Sequence, residues 1–193
     1  MNVAERNLLE IYDTHKYVGE DDYHGDKGTT HSYIEEYSRL LEPYRNGCTF
    51  LEIGLAFGES LKMWNEYFNN STVVGVDISA DEIGPLLDDP QYNIIICDAT
   101  TLQFLEKISE YNFDVIIDDG SHIWEDVKTS FEILRPKIRK NGIYIIEDVV
   151  PYMNFSSKRD VANQFGLDDS QIEIVDNTRI KNRGDDCLIT FKF

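Results

Sequence analysis

Between residues 48 and 148 the chain is punctuated five times by a short, unbroken apolar run that stops at an acid. The runs cover residues 48–53, 72–76, 93–97, 114–117 and 143–146. The acids at or beside their ends are Glu52, Asp77, Asp98, Asp118-Asp119 and Glu147-Asp148. Continuous rather than alternating hydrophobicity marks strands buried on both faces, as in a parallel sheet covered by helices. Helical spacing separates most of them. Leu61, Trp64 and Phe68 follow the first run, and Leu102, Leu105 and Ile108 the third. Ile123, Val127, Phe131, Leu134 and Ile138 follow the fourth, with Gly142 after them. Residues 81–89 are acidic and contain Gly84 and Pro85, so they offer at most one helical turn. Beyond Pro151 the pattern predicts a helix over 156–165 closed by Gly166. Strands over 172–175 and 187–193 then join through Asn182-Arg183-Gly184 as a hairpin at one edge. The expectation is an α/β fold: a Rossmann-like, doubly wound sheet of about seven strands, mostly parallel, with an antiparallel C-terminal hairpin.

Upstream, residues 5–12 suit a short helix. Ser32-x-x-Glu35 reads as a capping box opening another, which Pro43 stops, and Thr100-x-x-Gln103 reads as a second box. At 193 residues the chain is read as one domain. Residues 1–45 form an N-terminal helical or lid segment, 46–150 the core that binds ligands, and 151–193 a C-terminal helix and hairpin. A net charge of −18 would repel a phosphate backbone or an anionic bilayer, which argues against nucleic-acid and membrane partners and leaves a small neutral substrate or a cationic cofactor. Cys48, Cys97 and Cys187 are odd in number, lie in or beside apolar runs and have no zinc spacing. They fit a reducing compartment, and no run approaches membrane-spanning length, so a cytoplasmic location is expected.

The chemistry is concentrated where the runs end, because open α/β sheets bind ligands at the carboxyl ends of their strands. Glu52-x-Gly54-x-x-x-Gly58 sits between a strand and a helix, where glycine permits a tight turn and close ligand approach. The acid ahead of the first glycine disfavours a pyrophosphate and suits an ammonium or sulfonium; a plain strand-to-helix turn would look similar. Asp77 is placed to accept ribose hydroxyls and Asp98 to meet an adenine amino group. Asp118-Asp119 and Glu147-Asp148 end neighbouring strands about 4.8 Å apart, and their carboxylates converge. A divalent cation would relieve that repulsion, and oxygen ligands select a hard ion: Mg²⁺ first, with Mn²⁺ or Ca²⁺ as alternatives. Successive strand residues point to opposite faces, so Glu147 and Asp148 can share a metal only if the strand breaks there. Solvated acids in an acidic protein are the competing reading. His122, three residues past Asp119, is placed to be a base beside a metal-bound hydroxyl. Lys27, His31 and Tyr33 either close over the site or solvate it. Tyr12-x-x-x-Lys16 imitates the reductase pair of short-chain dehydrogenases but precedes the glycine loop, and is discounted.

Taken together, several segments resemble the small metal-dependent O-methyltransferases that act on sugars of natural products, of the macrocin and mycinamicin type, and the related cephalosporin hydroxylase family. They are Asp26-Lys27-Gly28-Thr29-Thr30-His31-Ser32-Tyr33, Leu51-Glu52-Ile53-Gly54, Val74-Gly75-Val76-Asp77, Ile117-Asp118-Asp119-Gly120-Ser121-His122 and Tyr144-Ile145-Ile146-Glu147-Asp148. The Asp-Asp-Gly-Ser-His run is the specific one. The resemblance implies S-adenosylmethionine bound through Glu52, Gly54 and Asp77, with Gly58, Ile78, Asp98, Asp118, Lys27 and Tyr33 around it. It also implies Mg²⁺ held by Asp119, Glu147 and Asp148, with His122 and Asp119 catalytic. Ala56 departs from the glycine of many class I members, and a slightly shifted loop is expected there. The expected reaction is O-methylation of a sugar or glycosylated small molecule; a homo-oligomer is left open. A catechol-type acceptor lying against Tyr152, Met153 and Phe155 is the rival enzyme, and a non-catalytic adenosylmethionine-binding module the rival of another class.

Overall fold

The computed structural model describes residues 6–16 and 25–193. His24, the middle of the 13–30 stretch and the side chain of Tyr152 lie outside the described residues. Strands β1 (Thr49–Ile53), β2 (Thr72–Asp77), β3 (Asn93–Ile96), β4 (Phe113–Asp118) and β5 (Ile138–Ile146) are followed by β6 (Ile172–Asp176) and β7 (Cys187–Lys192). They form one sheet in the order β3-β2-β1-β4-β5-β7-β6. The first five are parallel, and β7 is antiparallel to both β5 and β6. The C-terminal pair sits side by side at one edge of the sheet, antiparallel as expected. β7 is interior and β6 is the edge.

Helices cover both faces. Residues of α1 (Leu8–His15), α3 (Ile34–Leu41) and α4 (Glu59–Tyr67) share one core with Phe50, Val73, Val115, Ile117, Ile143 and Ile145. Residues of α5 (Leu102–Lys107), α6 (Trp124–Leu134) and α8 (Lys158–Phe165) share the other with Leu51, Val74, Ile116, Tyr144 and Ile146. Consecutive strand residues thus go to opposite cores, which is why the runs are unbroken in hydrophobicity. On the second face Phe131 meets Tyr144, Phe165 and Phe191 edge-on at 5.3, 5.2 and 5.1 Å. Each such pair adds about 0.5–1.5 kcal/mol beyond area burial. Two short helical turns, α2 (Asp26–Thr29) and α7 (Pro151–Asn154), lie near the ligand-binding edge and in the C-terminal part.

Local details differ from the sequence expectations for physical reasons. Neither capping box forms. The Ser32 N–H is held by Asp186 at 2.9 Å, so α3 opens at Tyr33 without a side-chain cap, and the Thr100 hydroxyl turns back to Asp98 at 2.6 Å. Ile138 does not extend α6. Pro136 converts the helix end to a 3₁₀ turn, and Ile138 opens β5 opposite Phe113, after which the register against β4 shifts at a bulge and resumes at Ile143 opposite Val115. His122 precedes α6 rather than starting it. No helix among the described residues is long and apolar enough to cross a membrane. Cys48, Cys97 and Cys187 are all free and buried.

The sheet order reverses between β1 and β4, and a crevice opens there at the carboxyl ends. The register sets the strand tips level with one another: Ile53 is opposite Val76 and Asp118, and Asp118 is opposite Ile146. Gly54, Asp77, Asp119 and Glu147 therefore emerge along one edge.

Candidate active site

Two depressions adjoin along that edge, and Gly54, Asp77 and Gly120 line both. One, a cavity of about 300 Å³ over the tips of β2, β3 and β4, is lined by Ile78, Asp98, Asp118, Ser121 and Ser130 among others. The second, about 290 Å³, is lined by Tyr12, Lys16, Met63, Asp119, His122 and Asp148 among others.

In the first depression the acids are held locally. Asp77 Oδ2 accepts from the Leu55 and Ala56 N–H groups at 2.8 and 3.3 Å, and its Oδ1 from Ser79 N at 2.9 Å. The side chain so stitches the glycine loop to β2. Asp98 Oδ1 accepts from the Thr100 N–H and hydroxyl, which hold its pKa below the usual value. Asp118 is buried, takes the Tyr144 hydroxyl at 2.6 Å, and is pushed up to about 6 chiefly by burial. Ile78 lies exposed at the rim. Gly54, at φ 85°, is required by geometry: a Cβ there would sit 2.0 Å from the Asp119 carbonyl oxygen. Ala56 keeps the left-handed conformation, φ 45°, that a glycine would take without strain. Gly58 caps α4 at φ 82° and is not in either lining.

Glu52 is turned away from both depressions and is wholly buried. Its carboxylate accepts from Ser60 Oγ at 2.9 Å and Trp64 Nε1 at 3.0 Å, and the ammonium it faces is the chain's own Lys27, at 3.5 Å. Lys27 and Tyr33, expected beside a cofactor, are buried and bonded to acids, with Lys27 in the lining of the second depression. Lys27 Nζ donates to Asp119 Oδ2 at 2.7 Å and Glu147 Oε1 at 2.5 Å. Burial alone would lower the Lys27 pKa; Asp119, Glu147 and Glu52 outweigh it and hold the ammonium charged well above its usual range. Tyr37 adds a hydroxyl to Glu147 Oε1 at 2.5 Å, and Tyr33 donates to Asp148 Oδ1 at 2.8 Å.

The strand does break where the two acids follow one another. Asp148 has φ 53° and His122 φ 55°, so both leave the extended path and enter the second depression, whereas Glu147 stays beneath it. His122 Nε2 stands 3.9 Å from Asp119 Oδ1 and 3.9 Å from Asp148 Oδ2. Asp148 is pushed up to about 8 by burial and by Asp119, and Glu147 well above the carboxylate range by the same causes. Acids this hard to ionise together are what a cation relieves. Among the described residues three groups bring one ligand atom apiece within 4.8 Å: Asp119-His122-Asp148, Glu52-Asp119-Glu147 and Asp26-His31-Asp148. The first is open to the depression; the second surrounds Lys27. Such oxygen-rich sets suit a hard divalent ion.

The chain matches known proteins in sequence and fold. The FtsJ-like methyltransferase family matches over residues 32–177. The chain belongs to that family. Relatives of this FtsJ-like chain include the 8-demethyl-8-alpha-L-rhamnosyl tetracenomycin-C 2'-O-methyltransferase of Streptomyces olivaceus, 35% identical over 65% of the chain and 35% of the relative. The mycinamicin VI 2''-O-methyltransferase of Micromonospora griseorubida is 36% identical over 63% and 32%. The FtsJ-like chain thus spans about a third of the length of the curated relatives it matches. Among solved structures, the MycE methyltransferase of the mycinamycin biosynthetic pathway, in complex with Mg, SAH and mycinamycin VI, superposes with a TM-score of 0.63 at 31% identity. That match covers 75% of this chain and 38% of MycE. An O-methyltransferase from Bacillus cereus shares the fold at 16% identity, with a TM-score of 0.61 over 99% of this chain and 93% of that one.

Three side chains at the site were not legible as functional. Tyr37 reads as one more apolar residue of the α3 stripe, yet its hydroxyl reaches Glu147. Tyr12 and Lys16, discounted as a reductase pair, do line the second depression, and Tyr12 bonds Gly25 O and Gly28 N rather than a cofactor. Met153 and Phe155, offered as the pocket of the rival catechol-type acceptor, are in neither lining.

Proposed function

We propose that this chain catalyses S-adenosylmethionine-dependent, Mg²⁺-dependent O-methylation of a hydroxyl on a sugar or glycosylated small molecule, with Mn²⁺ able to replace Mg²⁺. One observation carries the reading: an imidazole nitrogen stands 3.9 Å from each of two carboxylate oxygens in a depression that adjoins a second one of about 300 Å³. The names of the relatives support it, since they are O-methyltransferases of rhamnosyl tetracenomycin-C, mycinamicin VI and demethylmacrocin. The MycE complex with Mg and SAH supports the cofactors.

In this reading Gly54, Asp77, Ile78, Asp98 and Asp118 line the cofactor's crevice, and Asp119 and Asp148, with Glu147 beneath, hold the metal. When bound, the cofactor would supply an activated methyl group and the metal would supply Lewis acidity toward the acceptor hydroxyl. What the chain does is orient and move a proton. Asp119 and Asp148 present oxygens to the same space as His122, so an acceptor hydroxyl held there lies within reach of Nε2, which accepts its proton. Fixing the acceptor against the crevice contributes through proximity.

The test is turnover of His122→Ala and Asp119→Ala on a glycosylated macrolide or anthracycline-type acceptor panel, with SAH affinity measured in parallel. Turnover should fall at least about a hundredfold while SAH binding holds. Wild-type turnover in either variant would refute the assigned role. A wild-type chain that binds SAH but methylates nothing with any divalent ion would favour a binding module.

A further inference from the structure

The segment from Asp26 to Leu41 packs against the acids: Asp26 and Lys27 reach the lining of the second depression, Tyr33 and Tyr37 lie outside it, and its side chains engage a particular oxygen of each acid. Lys27 takes Asp119 Oδ2 and Glu147 Oε1, Tyr37 takes the same Glu147 Oε1, and Tyr33 takes Asp148 Oδ1. The oxygens that face His122 are the other ones, Asp119 Oδ1 and Asp148 Oδ2. Donors of this kind fix which lone pairs a carboxylate turns toward a metal.

We infer that Lys27, Tyr33 and Tyr37 form an orienting bracket, a set of positioning residues that aims Asp119 and Asp148 at the cation. The inference rests on the metal-dependent function proposed for the same site. Lys27 also serves as the resident positive charge. With it in place, one divalent ion and one sulfonium would bring the four ionised acids Glu52, Asp119, Glu147 and Asp148 to neutrality.

The bracket is itself anchored from two sides. Tyr12 accepts from Gly28 N at 3.1 Å and donates to Gly25 O at 2.7 Å, and a Cβ on Gly28 would meet the Tyr12 ring at 2.6 Å. From the loop between β6 and β7, Lys181 donates to the Gly28 and Thr29 carbonyls at 2.7 and 2.8 Å. Asp186 and Asn177 hold the two backbone groups of Ser32. Tyr33 and Tyr37 are wholly buried, and burial with the neighbouring acids raises both phenols, so they remain donors.

Mn²⁺ titration followed by electron paramagnetic resonance, on the full chain and on Tyr33→Phe, Tyr37→Phe and Lys27→Met, tests this. SAH calorimetry on the same samples is the control. Each phenylalanine variant keeps the ring and loses the hydroxyl alone. Mn²⁺ Kd should rise about 10- to 100-fold in both while SAH Kd stays within about twofold. Mn²⁺ affinity within about twofold of wild type in both tyrosine variants overturns the bracket and leaves the functional reading standing. A parallel loss of SAH affinity overturns it too, because the hydroxyls would then be supporting the fold. A wild-type chain that takes up no Mn²⁺ overturns the bracket and the metal-dependent reading together. Lys27→Met, if it folds, should show the larger Mn²⁺ effect.

Discussion

The tips of β2 and β3 and the tips of β4 and β5 carry the same signal, an acid where an apolar run stops, yet the fold makes two different sites of them. Asp77 and Asp98 are bound by groups from their own loops and the neighbouring glycine turn, within 22 residues. Asp98 is easier to ionise than usual. Asp119, Glu147 and Asp148 are bound by Lys27, Tyr33 and Tyr37, 92 to 120 residues away. Glu147 and Asp148 are harder to ionise than usual. A locally satisfied carboxylate keeps its charge and offers a spare lone pair to a neutral hydroxyl or amine. A buried cluster of carboxylates keeps its charge only with cations. The difference between the proposed nucleoside crevice and the proposed metal site is a difference in where the donors come from.

The seam between the two regions is the place to break the comparison hardest. Gly54→Ala would put a methyl group 2.0 Å from the Asp119 carbonyl at φ 85°, so it should disturb both sites at once. We expect a loss of about 3 kcal/mol or more, from strain plus overpacking, read as a drop in Tm with SAH and Mn²⁺ binding both impaired. A Tm unchanged within about 1 or 2 °C, equivalent to about 0.4–0.8 kcal/mol, would mean the turn is far softer than it looks.

Next in size is the pH dependence of the metal-free chain. The folded pKa values of Asp118 and Asp148 are raised from 3.8 to about 6 and about 8. Both groups then bind protons that the unfolded chain has released. Their contribution is full below about pH 4 and is lost as pH rises through about 6 for Asp118 and about 8 for Asp148. Stability in chelator should therefore fall between pH 5 and pH 8.5, and saturating Mg²⁺ should flatten that fall, since the cation takes the proton's place. A metal-free Tm that climbs over that range would refute the picture of an acid-crowded site. The smallest effect is expected on the other side of the seam. Asp98→Asn keeps an acceptor for Thr100 and removes only charge, so SAH affinity should weaken about fivefold, ~1 kcal/mol, with Mn²⁺ affinity unmoved. A Mn²⁺ effect there would show that the two regions are not independent.

Much of the fold is legible along the chain because the information is periodic and local. Unbroken runs such as Val115-Ile116-Ile117 can be buried only between two helical layers, and the helix stripes of α4 and α6 supply those layers. The misread ends, Ile138 and the two capping boxes, are places where a distant or competing partner wins: Phe113 for Ile138, Asp186 for Ser32, Asp98 for Thr100. Of the site, the acids at the strand tips are written in the sequence, because strand termini in a parallel sheet must come out at one edge.

The amino-acid sequence by itself determined the layered sheet, the glycine turn after β1 and the row of acids along one edge. Only the tertiary structure decided that Glu52 looks inward at Lys27, that Tyr37 is a polar partner as well as a core residue, and that Asp148 swings toward His122 while Glu147 does not. The physical reason is that a carboxylate's orientation and charge are set by whichever donors surround it in space. Here those donors come from a segment about a hundred residues upstream, whose approach no local pattern encodes.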